Sequence, residues 1–259
     1  MPRIHLFEFE DFAWFPDNLR NYGTDFLQFL ANKTQMYKPI IPVLKKGIEQ
    51  NGRHQIIDLA SGGGGGLLWI SEQLKAEFPD LKITLTDYFP NLDAFEFTKR
   101  QSAVFEYIHT SVDARKVPGH LKGLRTQFLS LHHFRPEDAR KILQNAVDSQ
   151  SAIAVFEAQE RSIPSMLPIF FSPLTVFFTT PFIRPFKLGR LFFTYLLPLV
   201  PMFIWWDGLV SSLRTYSVKE MEALVKQVRG HDTFDWEIGR VKSGPGAILY
   251  LLGTLKRQE

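Results

Sequence analysis

At 259 residues the chain suits one large domain, a single sheet with helices on both faces, and is long enough to bury a sizeable core. It contains no cysteine, which excludes disulfides, thiolate metal sites and a cysteine nucleophile, so the chemistry must come from oxygen, nitrogen and a cofactor. A net charge of +3 is scattered without a basic run, and a nucleic-acid partner is not expected.

The opening residues 1–16 are aromatic and acidic and lack the basic start and apolar centre of a secretory signal, so a cytoplasmic protein is the expectation. Trp14, Phe15, Arg20 and Tyr22 are candidates either to cover a ligand or to pack into the core. Between Asn18 and Gln50 apolar residues recur at helical spacing around Pro39 and Pro42, which predicts two helices forming an N-terminal cap, residues 1–53.

From residue 54 to 162 strands and helices alternate. Strands are predicted at 55–60, 82–87, 105–109, 128–132 and 152–158, with helices at 65–78, 92–101 and 136–148. Pro136 suits a first helical turn, and Glu137 and Asp138 complement the dipole there. Such alternation predicts a parallel sheet covered on both faces.

The segment 163–210 is an apolar, aromatic insertion. Each half, 165–183 and 191–210, is long enough to cross a bilayer core of about 30 Å as a helix. Both ends return to one sheet, so a crossing would put the basic turn carrying Arg184, Lys187 and Arg190 on the wrong side, and the six prolines from Pro168 to Pro201 break the helices. A greasy lid of short kinked segments is expected instead. It either dips into a membrane interface, with the basic turn meeting anionic headgroups, or packs internally.

Residues 211–259 return to regular structure. Ser217 and Glu220 form a capping-box pattern for a helix reaching about residue 228, and strands at 234–241 and 247–255 flank a glycine-proline turn. The fold class expected is α/β: one domain, 1–259, with a mixed, mostly parallel seven-stranded sheet, helices on both faces and a C-terminal antiparallel hairpin.

Five consecutive glycines, Gly62 to Gly66, follow the apolar strand that carries Asp58. Glycines there let backbone approach a ligand, and the free N–H groups of the next helix attract an anion. The dinucleotide fingerprint fits imperfectly, because its third glycine falls on Leu67 or Leu68. The run Asp58-x-Ala60-x-Gly62-x-Gly64 instead resembles the first motif of class I S-adenosylmethionine-dependent methyltransferases, with Ala60 in place of the usual first glycine. The resemblance covers about residues 18 to 255 apart from the insertion. It implies a Rossmann-like fold and S-adenosylmethionine as cofactor. Gly62 to Gly66 would take the methionine carboxylate and Asp58 the ammonium. Asp87, 21 residues after Gly66, would take the ribose hydroxyls. Asp113 would take the adenine amino group, and Val112 would cover the adenine face. A turn or cap aspartate is the plainer alternative for Asp87 and Asp113.

His132 and His133, at the predicted end of the fourth strand, are candidate proton acceptors for a hydroxyl or amine substrate, or else residues that bond the next helix. Adjacent strand residues point to opposite sides, so only one is expected to face the crevice, and the pair makes poor joint metal ligands; no metal site is expected. Glu157 ends the fifth strand and is a weaker candidate. Asp207, Arg214 and Tyr216 either line a substrate entrance or anchor turns. The function expected is methyl transfer to a hydrophobic or lipid-like small molecule, with a non-catalytic cofactor-binding or membrane-surface adaptor as the alternative.

Overall fold

The structure, a computed structural model, describes residues 1–256; the last three residues of the predicted C-terminal segment lie outside it. Its elements in chain order are α1 (Asp17–Lys33), α2 (Ile41–Asn51), β1 (Gln55–Asp58), α3 (Leu67–Leu74), β2 (Lys82–Leu85), α4 (Leu92–Gln101), β3 (Phe105–Tyr107), β4 (Leu124–Phe128), α5 (Pro136–Asp148) and β5 (Ile153–Glu157). Then follow α6 (Ile163–Phe170), α7 (Ser172–Thr179), α8 (Leu188–Leu191), α9 (Leu199–Arg214), α10 (Val218–Lys226), β6 (Phe234–Ser243) and β7 (Gly246–Leu255).

The strands form one seven-stranded sheet in the order β3-β2-β1-β4-β5-β7-β6. The first five run parallel and β7 is antiparallel to both β5 and β6, which is the expected mixed sheet. Alternation along each strand sends neighbours to opposite faces. Ile56, Ala154 and Phe156 join Leu44, Ile48, Ile70 and Phe95 on one face, while Ile57, Ile153 and Val155 join Ile142, Leu143, Met221 and Leu224 on the other. The helix α2 therefore packs on the sheet itself. The capping box of α10 is formed, with Ser217 accepting from the Glu220 backbone and Glu220 accepting from that of Ser217.

The strand predicted at 128–132 lies instead at Leu124–Phe128. Polar Arg125, Thr126 and Gln127 hid it, because every residue of this central strand is buried, polar ones included. Arg125 can be accommodated because its Nη1 donates to Asn145 Oδ1 at 2.9 Å, although Gln127 keeps both amide atoms without partners among the described residues.

A third apolar cluster lies off the sheet. Phe15 together with Leu19, Tyr22 and Phe26 of α1 packs against Val176, Ile183, Val200, Phe203 and Ile204 of the insertion. The other side of α1 lies on the glycine loop, so the insertion, α1 and the loop are stacked. No single helix of the insertion is long and apolar enough to cross a membrane, and its two helix pairs are bent by 42° and 81°.

Candidate functional site

The glycine loop joins β1 to α3. Gly62, Gly64 and Gly65 adopt φ of +55°, +92° and +47°, a region that side chains disfavour. Gly63 and Gly66 are required by neighbours: a Cβ would come within 2.7 Å of Thr24 O and 2.6 Å of the Tyr37 ring. The loop is gripped by α1. Asn32 Nδ2 donates to Gly65 O at 2.7 Å and its Oδ1 accepts from Trp69 N at 2.8 Å, covering one free donor at the start of α3. Ala60, which stands where the resembling motif has glycine, takes a φ of +56°, a strained conformation for alanine and the reason for a glycine there.

Asp58 ends β1 and Asp87 follows β2, both beside this loop. Asp58 is 2 % exposed, accepts from Thr126 Oγ1 at 2.6 Å and pairs with no cation among the described residues. Burial pushes its carboxyl up to about 7, against the Thr126 and Ser61 hydrogen bonds and with a small push from Asp87. Asp87 follows β2 and is half-buried; Oδ2 accepts from Gly62 N at 2.7 Å and Oδ1 from Phe89 N at 2.8 Å. Val112 is buried, and its N–H donates to Asp87 O at 2.8 Å, tying the loop after β3 to the end of β2. Asp113 caps its own turn through Arg115 N and takes the Arg115 guanidinium on both oxygens, so any further donor would share them.

After β4 the chain does not continue as a strand. Leu129 has a φ of +48°, and His132 and His133 then lie in the 3-10 turn Leu131–His133. The expectation that they face opposite sides is overturned: their ring centroids are 4.3 Å apart and both rings meet Glu8. Glu157 holds His132 twice, Oε1 accepting its backbone N–H at 3.1 Å and Oε2 lying 2.8 Å from Nδ1. With Nδ1 turned to that carboxylate, Nε2 is the ring nitrogen left to face another partner. His133 Nδ1 lies 2.9 Å from Asp11 Oδ1. Burial alone would lower this histidine, but Glu8 and Asp11 more than reverse it, to about 10.

Glu8 was not legible as a site residue. The N-terminal segment lays it over the histidines, where it is 1 % exposed and pairs with Arg214 Nη1 at 2.7 Å. Of the residues placed at a substrate entrance from sequence, all are buried beneath that segment. Asp207 accepts from Phe9 N at 2.9 Å and Glu10 N at 3.2 Å, Arg214 Nη2 pairs with Asp11 Oδ2 at 2.6 Å, and the Tyr216 hydroxyl donates to Phe134 O at 2.7 Å. Of the covering residues, Trp14 is exposed while Phe15, Arg20 and Tyr22 are buried.

The basic turn also differs from expectation. Arg190 is 1 % exposed, its Nη1 donating to Asp25 Oδ2 at 2.6 Å, and Lys187 Nζ lies 3.3 Å from the same oxygen. A buried carboxylate on α1 thus draws two of the three cations inward. Arg184 alone remains at the surface of this turn, over the Phe186 ring.

No family model matches the sequence, and no curated protein matches it. Solved structures do. The methyltransferase domain of a bacterial Hen1 (CtHen1-CN) aligns with a TM-score of 0.51 at 11% identity, over 85% of this chain and 100% of that one. An O-methyltransferase family protein from Burkholderia thailandensis gives 0.49 at 16% identity over 87% of this chain and 58% of that one. Human N-acetylserotonin methyltransferase in complex with SAM gives 0.48 at 14% over 90% and 56%. The chain thus spans just over half the length of the last two proteins. Its fold is the class I methyltransferase fold.

Proposed function

We propose that the chain binds S-adenosylmethionine at the glycine loop and transfers its methyl group to a hydrophobic small molecule. The observation that carries the reading is Asp58, a buried carboxylate with no counter-cation among the described residues, set beside a loop with three positive-φ glycines. An ammonium group would supply the missing charge. The residues present fit this cofactor. A Cβ on Gly65 would meet open space, and Asp87, half-buried at the strand end, has acceptor capacity left for hydroxyl donors. Val112 and Asp113 complete the adenine end.

The cofactor would supply an already activated methyl group, so this chain's own tasks are alignment and proton removal. His132 is the proton acceptor in this reading. In the neutral ring Glu157 takes the Nδ1 proton and leaves Nε2 as the acceptor, and it would stabilise the charge the ring gains. His133, held charged by Glu8 and Asp11, is the electrostatic partner of those carboxylates rather than a base. Asp207 and Arg214 act by fastening the N-terminal segment as the roof of the site.

Calorimetry with S-adenosylmethionine tests the cofactor. Asp87→Ala is expected to weaken binding by about thirtyfold to a hundredfold, from the loss of charge-assisted hydrogen bonds. His132→Gln should keep that affinity while methyl transfer to lipophilic hydroxyl acceptors, followed with labelled cofactor, falls by about a hundredfold. Absence of binding by the parent protein would remove the proposal.

The hydrophobic acceptor and a peripheral membrane contact share one support. Phe178, Leu188 and Leu196 of the insertion are 76 %, 75 % and 76 % exposed, among many other exposed apolar side chains there. Burying such side chains is worth about 1.5–3 kcal/mol each. Changing these three together to serine is expected to lower cosedimentation with vesicles of mixed neutral and anionic lipid by more than about tenfold. Equal sedimentation of variant and parent, or none by either, would sink the membrane contact.

A further inference from the structure

The two histidines, Glu8 and their surroundings carry more than a proton acceptor. Three donor atoms, Glu8 Oε2, His132 Nε2 and His133 Nδ1, lie within 4.8 Å of one another. Glu8 Oε2 stands 4.0 Å from His132 Nε2, too far for a hydrogen bond, and 3.4 Å from His133 Nδ1. Ligands held at the usual 2.0–2.1 Å around a tetrahedral ion are about 3.4 Å apart, so these separations suit a shared ion better than direct bonds. We propose that Glu8, His132 and His133 form a binding site for a divalent transition-metal ion of the zinc class.

Four features support this assignment. His132 already has the support usual for a metal-bound histidine: a carboxylate, Glu157, on its other nitrogen at 2.8 Å, which leaves Nε2 as the donor. Two imidazoles and one carboxylate favour zinc or cobalt over the oxygen-seeking magnesium and calcium. Glu8 and His132 are 1 % and 2 % exposed, so little water competes for them, while His133 is partly open. Arg214 holds the other Glu8 oxygen, Oε1, at 2.7 Å, which leaves Oε2 to bind as a single donor. Binding at His133 Nδ1 displaces the proton that this nitrogen shares with Asp11 Oδ1, 2.9 Å away, so one proton is released as the ion enters.

An ion there would join the N-terminal segment to the turn after β4. It would also occupy the lone pair of His132, so if His132 is the methyl-transfer base, the loaded protein should be inhibited. Metal binding itself is measured without cofactor or acceptor, and its failure leaves the methyl-transfer reading untouched.

The test uses tag-free, chelator-treated protein titrated with zinc alone against a chromogenic chelator, and with cobalt alone by visible absorption. One ion per chain is expected, with the intense visible bands of a low-coordinate cobalt site. Glu8→Gln and His133→Asn should each weaken binding by at least tenfold, and Glu157→Gln, which removes no ligand, by about tenfold to a hundredfold. Folding of each variant is checked by circular dichroism. Absence of stoichiometric binding by the folded parent overturns the proposal whatever the variants do. So does binding that Glu8→Gln and His133→Asn leave unchanged, which would assign it to surface histidines.

Discussion

Replacing Arg190 with methionine is expected to cost about 3–5 kcal/mol of stability, because it leaves the Asp25 carboxylate buried with only Lys187 for charge. Arg190 does three things at once. Nη1 donates to Asp25 at 2.6 Å, and Nη2 donates to Ile183 O at 2.8 Å and Pro185 O at 2.7 Å. Asp25 is fully buried and its carboxyl is already raised by burial against the pull of both cations, so losing the stronger partner leaves a charge with little solvation.

The same substitution reaches the cofactor loop. Asn91 Nδ2 bridges Asp25 Oδ1 at 3.1 Å and Thr24 Oγ1 at 3.2 Å, and the Thr24 backbone is what packs against Gly63. Cofactor affinity should therefore fall along with stability. Urea unfolding of Arg190→Met, Asp25→Asn and the double variant measures the coupling. The double variant should be less destabilised than the sum of the singles by more than about 1 kcal/mol. A loss below about 1 kcal/mol for Arg190→Met would mean that the insertion is held by its apolar contacts alone.

What the sequence made legible was what local chemistry decides. The helix beginning at Pro136 has the predicted bounds, and the Ser217 to Glu220 box is formed, because a fixed proline φ and a capping side chain act within one turn. Asp58 and Asp87 fall beside one loop because a parallel sheet collects the carboxyl ends of its strands on one edge, while Asp113 is taken up by Arg115. The strand β4 escaped because its polar residues are satisfied, where they are satisfied, by distant partners: Thr126 by Asp58 and Arg125 by Asn145. Nor does the sequence tell a glycine needed by a ligand from one needed by a neighbour, as Gly63 and Gly66 are. The roof of the site was out of reach for the same reason. Contacts such as that between Asp11 and His133 span 122 residues, and the Leu129 conformation that turns the histidines toward Glu8 leaves no mark in residue type.

Asp58→Asn is expected to yield a protein that is more stable at neutral pH and has lost most of its cofactor affinity. The folded carboxyl, raised to about 7 from an unfolded 3.8, favours the protonated form. Its stabilising contribution is therefore full below pH 3.8 and is lost as pH rises through 7, roughly 4 kcal/mol over the whole span. Asparagine removes that dependence and keeps an acceptor for the Thr126 hydroxyl. Urea midpoints for parent and variant should thus converge toward pH 4 and separate toward pH 8, the variant being higher. Binding runs the other way. An ammonium ligand requires the ionised carboxylate, so parent affinity for S-adenosylmethionine should fall about fiftyfold between pH 7 and pH 5, a range in which the ligand's own charge is constant. The variant should bind more than about a hundredfold more weakly than the parent at pH 7, with little pH dependence. A variant whose affinity follows the parent's pH profile would place the ammonium elsewhere and transfer the pH effect to Asp87, to Glu10 of the N-terminal segment or to Asp207 beneath it, which burial also raises.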